Sequence, residues 1–202
     1  MGDIPLTRKK VSLAKEKHIR KCVRETKGPS FTRMITGEYA TTFFEFIKIP
    51  EVNTPIYSIP RPITLEEIQQ FITDHTHEHM TGDGLLLGQF SEAGQIQAYF
   101  DLQFWPQWGA CEIGGGMVPQ MQNHGRGTQL AQSIFSWVFE SIGVNTICET
   151  AALDNERTKN MLGHMGFTFM GEVDCVAPSG RVRRSNCWEI THDQWRAKHG
   201  VS

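Results

Sequence analysis

The 202-residue sequence has no Cys-x-x-Cys pair, no apolar run of membrane-spanning length, no internal repeat and no strong net charge. Each absence removes a class of answer. Its five cysteines, Cys22, Cys111, Cys148, Cys175 and Cys187, are scattered and odd in number, which argues against a disulfide framework or a zinc site and for a reducing compartment. The first residues, Met1 to Arg8, hold no apolar stretch of the kind a secretion signal needs, so a soluble, cytoplasmic protein is expected. A net charge of −2 supplies no global field for nucleic acid. The charge is uneven, however: residues 1–28 carry nine Lys and Arg against three acidic residues. That segment reads first as a solvated face, and second as a contact for an acidic partner or for phosphates.

What is present is enough apolar material for a core: 39% hydrophobic residues, with 12 Phe and 5 Trp, on a length that fits one domain. Lys9 to Leu13 reads as a short strand, and apolar positions from His18 to Val23 recur at helical spacing before the stop at Lys27-Gly28-Pro29. A second helical patch runs from Gly37 to Ile47, and the four prolines between Ile49 and Pro62 predict a loop. Thr64-Leu65-Glu66-Glu67 has the form of a capping box and opens a helix that is expected to fray at Asp74-His75-Thr76-His77-Glu78-His79. His75 and His79 would share a helix face, but no further metal ligand lies near them in sequence, and histidines collect at helix ends for other reasons.

Beyond that point the hydrophobic period changes from 3.6 to 2. Leu85 to Phe90 reads as a buried strand, and Ile96 to Trp105 alternates apolar and polar over its whole length. A strand at Ala110 to Val118 completes an antiparallel meander. A long helix then leads to a strand at Asn145 to Ala151, and a connection through a helix favours parallel pairing with the strand before it. A short helix over Glu156 to Leu162, a hairpin formed by Phe167 to Val176 and Val182 to Ile190, and a last helical turn from Asp193 to Lys198 close the chain. The expected class is α/β, with a mixed, mainly antiparallel sheet flanked by helices.

The stretch on which chemistry converges is Gly114-Gly115-Gly116-Met117-Val118-Pro119-Gln120-Met121-Gln122-Asn123-His124-Gly125-Arg126-Gly127-Thr128, followed by an amphipathic run to Glu140 that Gly143 should end. A loop with two glycines opens onto a helix whose first amides have no intrahelical acceptor, and the helix dipole adds about half a positive charge there. Such a loop can cradle a diphosphate. It lacks both the Gly-x-Gly-x-x-Gly dinucleotide fingerprint and the Gly-Lys-Ser/Thr ending of a P-loop.

Gln122-x-x-Gly125-x-Gly127 resembles the Gln/Arg-x-x-Gly-x-Gly/Ala signature of the GNAT superfamily of N-acetyltransferases. Asn155-Glu156-Arg157-Thr158, with Gly166-Phe167 after an apolar helix, resembles that family's second motif, in the right order and on the expected helix starts. Thr158, Leu162 and the closing Trp188-Glu189-Ile190-Thr191-His192-Asp193-Gln194-Trp195 look most like the ribosomal-protein N-acetyltransferase subgroup. The resemblance covers about residues 84–190.

It implies a GNAT-like sheet with strands four and five splayed apart. One domain would span 1–202, with 1–83 on the acceptor side and 84–190 as the coenzyme-binding core. The co-substrate would be acetyl-CoA and the acceptor an amine of a small molecule or a protein N-terminus; a homodimer would be compatible with it. Carried over by motif, Met117 and Val118 would bond the pantetheine arm through their backbones. Gln122, His124, Gly125, Arg126, Gly127 and Thr128 would hold the pyrophosphate, and Asn155 would bind the arm. Glu112 is the candidate base and Glu149 the second choice. The acid stays open, because Leu162 stands where many members have tyrosine; water, His164, a cysteine or unaided departure of the thiolate remain. Trp105, Trp108 and the Arg181-Val182-Arg183-Arg184 loop would border the acceptor's way in. A non-catalytic acyl-CoA-binding scaffold is the alternative, and an aminoacyl-tRNA-acetylating toxin a more remote one.

Overall fold

The computed structural model describes residues 4–122, 125–177 and 180–200. Ser12 sets the first element. Its hydroxyl accepts the Lys15 amide at 3.2 Å, so helix α1 (Leu13–Glu25) begins there. The strand expected at Lys9 to Leu13 does not form: the Ser12 cap takes Leu13 into the helix, and the Val11 N–H donates to Gln107 O at 3.1 Å, outside the sheet. The edge place in the sheet is taken instead by β1 (Arg33–Met34), which pairs with β2 (Gly84–Phe90).

The sheet runs β1-β2-β3-β4-β5-β7-β6, with β3 (Ile96–Trp105), β4 (Ala110–Met117), β5 (Thr146–Ala152), β6 (Thr168–Val176) and β7 (Val182–Thr191). All neighbours are antiparallel except β4 and β5, whose crossover carries α5 (Arg126–Trp137) and a wider π turn over Val138–Ile142. Gly143 ends that turn in the left-handed conformation, as the sequence led one to expect. The mixed sheet and the parallel pair agree with the sequence reading.

On one face α1, α5, α6 (Glu156–Met165) and α7 (His192–His199) bury Ile19, Phe135, Leu162 and Trp195 against Leu85, Phe100 and Ile147 of the sheet. On the other, α2 (Ala40–Ile47) and α4 (Leu65–Thr81) bury Phe43, Ile47, Ile68 and Ile72 against Leu86 and Tyr99. Alternation along β3 produces this division: Phe100 and Leu102 face one layer, Tyr99 and Asp101 the other.

Two expectations for the N-terminal half need correcting. Helix α4 does not fray at its histidines but continues to Thr81, where Gly82 supplies a left-handed cap (φ 82°). The proline-rich stretch holds a helical turn, α3 (Pro50–Asn53), with Pro50 in the first turn, where its missing N–H costs nothing.

Candidate active site

The sheet opens at one place. β4 and β5 pair only through Ala110 with Thr146, Cys111 with Ile147 and Glu112 with Cys148. Past Glu112, β4 stays with β3 up to Met117, while β5 stays with β7 up to Ala152. A parallel ladder abandoned in this way leaves amides without strand partners. The first of them, Ile113 N–H, donates to Glu149 Oε1 at 3.2 Å, so the side chain of β5 replaces the backbone that has moved away.

A cavity of about 810 Å³ passes through the gap. On the α5 side it is lined by Met117, Gln122, Gly127, Leu130, Glu149 and Asn155, and on the α4 side by Tyr57, His75, Tyr99, Asp101, Glu112 and Arg183.

The coenzyme side is built around the start of α5. Its N-cap is Gly125 at φ 73°, with no side-chain cap, and the first intrahelical bond runs from Gln129 N–H to Gly125 O at 3.0 Å. The amides of Arg126, Gly127 and Thr128 therefore have no intrahelical acceptor. A Cβ on Gly125 would meet nothing within 4 Å, so glycine is required there by its left-handed backbone and not by crowding. These features suit a diphosphate. His124 lies outside the described residues.

Gln122 holds the loop rather than reaching freely: its Nε2 donates to Met117 O at 3.1 Å, and its Oε1 accepts from Arg157 at 3.4 Å. Arg157 was not singled out from the sequence, yet it lines the cavity beside Gly127. Its position two residues after the Asn155 cap was the available signal. Asn155 Oδ1 accepts the Thr158 amide at 3.0 Å and caps α6, which leaves its amide NH₂ for a ligand. Val118 does not line the cavity. Its N–H goes to Gln97 O at 2.9 Å, and its carbonyl accepts from Met121 at 3.0 Å.

On the α4 side, Glu112 accepts a 2.6 Å hydrogen bond from the Thr150 hydroxyl. Burial pushes its carboxyl up to about 7, opposed by the Thr150 hydrogen bond, which favours the anion. Glu149, on the opposite face of the gap, is held well above the usual carboxylate range by burial and by the charge of Glu112. Glu112 titrates near neutrality, and the Glu149 carboxyl is biased towards its neutral form.

Deeper along this wall His75 has two acceptors and no donor: Nδ1–H donates to Phe71 O at 2.8 Å and Nε2–H to Asp101 Oδ1 at 3.0 Å. Burial disfavours the cation, but the Asp101 charge and hydrogen bond outweigh it, with help from Glu78, and the pKa rises to about 9. His75 is thus an imidazolium fixed within the fold, and among the described residues no group of three or more His, Cys, Asp and Glu is arranged to hold a metal.

Of the other expectations, Trp105 and Arg183 line the cavity, Arg183 lying 4.0 Å over the Tyr57 ring. Trp108 is instead covered by Arg8, and Arg184 pairs outside with Glu172 and Asp174. His164 is exposed and bound to Asn160 O, away from the cavity lining, and Leu162 is fully buried, so neither lies where it could protonate a leaving group. Tyr57, which the sequence reading passed over, has a phenol whose pKa burial raises far above its ordinary value, so it stays protonated. No helix among the described residues is long and apolar enough to cross a membrane.

A mixed sheet split between a glycine-bearing strand and its parallel neighbour, with an uncapped helix start on one side and a near-neutral carboxylate on the other, defines an acyl-transfer fold. The family profile "Acetyltransferase (GNAT) domain" matches residues 31–168, and the chain belongs to that family of N-acetyltransferases, whose members use acetyl-CoA. Solved structures share the fold. The ribosomal-protein-S5-alanine acetyltransferase from Vibrio fischeri is 16% identical with TM-score 0.67, over 81% of this chain and 93% of that one. The spermidine N-acetyltransferase SpeG from Vibrio cholerae is 14% identical with TM-score 0.63, over 81% and 96%. RimJ from Mycobacterium smegmatis, in complex with a coenzyme A disulfide, is 14% identical with TM-score 0.64, over 81% and 82%. No curated protein sequence matches the chain.

Proposed function

We propose that the protein transfers the acetyl group of acetyl-CoA to a primary amine at the β4–β5 gap, with Glu112 as the general base. The observation that carries this reading is the pairing of opposite walls: free helix amides and Asn155 on one side, and Glu112, held near pKa 7, on the other.

The amides of Arg126, Gly127 and Thr128 would hold the pyrophosphate, helped by Arg157, and Met117 and Asn155 would fix the pantetheine arm. The acceptor would approach from the α4 side. A lysine-like ammonium titrates near 10.4, so an ordinary carboxylate is a poor acceptor for its proton. Raising Glu112 from 4.5 to about 7 shortens that uphill transfer by roughly two and a half units, at about 1.4 kcal/mol each. The freed nitrogen lone pair forms the C–N bond, the C–S bond breaks, and the electron pair leaves on sulfur. One ammonium proton passes to Glu112 and from there to solvent, which restores the base; the second, shed by the nitrogen once the C–N bond has formed, goes to the departing sulfur, so the products are the amide and the free thiol. β4 amides beyond Ile113, past the last β5 pairing, would donate to the carbonyl oxygen as charge develops on it.

The test is acetyl-CoA titration by calorimetry, followed by thiol release and product mass across a panel of amines. Release of one thiol with one acetyl group gained per amine supports the reading. Coenzyme binding without turnover on any amine would leave only an acyl-CoA-binding scaffold.

A further inference from the structure

The acceptor half of the cavity has a one-sided charge. Glu51, Asp74, Glu78, Asp101 and Glu112 line it, against His75 and Arg183. Both cations are already engaged: His75 between Asp101 and the Phe71 carbonyl, and Arg183 over Tyr57 with its Nε donating to Ser185 at 3.0 Å. Asp74 accepts from Gln70 at 2.8 Å but gains no positive charge by it.

Two polar atoms in this wall are buried without any hydrogen-bond partner, the Tyr99 hydroxyl and Glu78 Oε2, the latter 3.9 Å from His75 Nε2, which already donates to Asp101. Tyr99 is only 1% exposed, lies on the same face of β3 as Asp101 two residues on, and feels that carboxylate's charge. A buried hydroxyl and a buried carboxylate oxygen left unsatisfied beside a cavity each cost free energy unless a ligand completes them.

We propose that the acceptor is a small aliphatic amine carrying a second cationic group, which Asp101, Glu78 and the Tyr99 hydroxyl hold while the reacting nitrogen lies at Glu112. This rests on the transferase reading above. The register fixes the span. Asp101 sits opposite Gly114, so Glu112 is its diagonal neighbour across the strand pair, at about 7–8 Å. Gly114 places no side chain between them, and a few methylenes bridge that separation. An ammonium at the far end donates to Asp101, Glu78 Oε2 and the Tyr99 oxygen, and no further group of the chain is needed there.

Matched ligands test this: 1,4-diaminobutane and n-butylamine, each titrated into the protein saturated with coenzyme A, and each assayed for acetyl transfer. The diamine is expected to bind at least about tenfold more tightly and to show the same advantage in kcat/KM. Asp101→Asn and, separately, Glu78→Gln should bring the ratio of the two amines towards unity. The ratio serves as its own control, and Glu78→Gln, which keeps the Asp101 hydrogen bond to His75, covers the case in which Asp101→Asn unsettles the fold. Equal affinity for the two amines, a ratio unchanged in both variants, or transfer confined to peptides without a second cation overturns the inference while leaving acetyl transfer intact. Failure of coenzyme A to bind at all would sink the transferase reading, and this one with it.

Discussion

Glu112→Gln separates chemistry from packing, because the amide keeps the shape of the side chain and an oxygen for the Thr150 hydroxyl but cannot take a proton. In the native protein kcat/KM should rise with pH through a limb centred near 7, where Glu112 loses its proton. The variant should lose that limb and run about 10²–10⁴-fold slower on its upper side. Below the limb the two proteins converge, since the native base is then protonated as well.

Stability moves the opposite way. The carboxyl is raised from 4.5 to about 7, so between those values the folded chain holds a proton that the unfolded chain has released. Native stability therefore falls as pH rises through that window, by at most about 3 kcal/mol once above it, less whatever solvent reaching the half-buried carboxyl removes. Glu112→Gln removes this slope, and its stability relative to the native chain should grow from pH 4.5 to 7 and then level off. Steady-state rates and urea melts across pH 5–8 read both effects. A limb that survives in the variant would refute Glu112 as the proton acceptor. A pH-independent stability difference would refute burial as the cause of its raised pKa.

Gly125→Glu should weaken coenzyme binding at least about a hundredfold by calorimetry, because it sets a carboxylate at the amides of α5; the left-handed backbone (φ 73°) adds a stability cost of about 1–2 kcal/mol. Unchanged affinity would contradict the cradle. Asn155→Ala should cost about 1 kcal/mol in urea melts through loss of the α6 cap and should also weaken the coenzyme, two effects that a purely structural cap would not combine. Gly115→Ala should destabilise by about 1–3 kcal/mol, since its Cβ would collide with the Tyr99 carbonyl oxygen across the strand pair. Glu149→Ala should cost about 1–3 kcal/mol by orphaning the Ile113 amide, whereas Glu149→Gln, which keeps an acceptor oxygen, should cost much less; equal losses in the two would show that the hydrogen bond does not matter.

The strand pattern and the glycine loop that opens α5 were legible in the sequence because both are local. The alternation over Ile96–Trp105 and the glycines ahead of α5 depend on neighbours within a few residues. What stayed hidden depends on contacts far along the chain. Lys9 to Leu13 has strand-like composition, but a single serine cap outweighs it. The histidines of α4 looked like a fraying end because their partner, Asp101, lies 26 residues away from His75 on another strand. The role of Glu149 was out of reach for the same reason: alternation gives the face of a side chain, not the amide on β4 that it replaces. At Val118 the motif gave the position, while the sequence did not show that the backbone there bonds to Gln97 and Met121.

The gap between β4 and β5 explains why a buried and a half-buried carboxyl stand side by side without cancelling each other's use. Opening a parallel pair strands amides in a dry place, and one acceptor must be supplied from the departing strand; Glu149 does this from the α5 face. Glu112, one ladder step earlier, is the last residue of β4 that is paired with β5, and it projects to the other face beside Thr150. Were both ionised, their repulsion in a low dielectric would work against the fold; burial and the Glu112 charge bias Glu149 towards its neutral form, while Glu112 titrates near neutrality. The Glu149 carboxyl thereby serves the opened strand, and Glu112 faces the cavity on the side where the proposed acceptor would arrive. The sheet break and the position of the proposed base are consequences of one piece of strand geometry, so a change that closes the break should abolish transfer even with Glu112 in place.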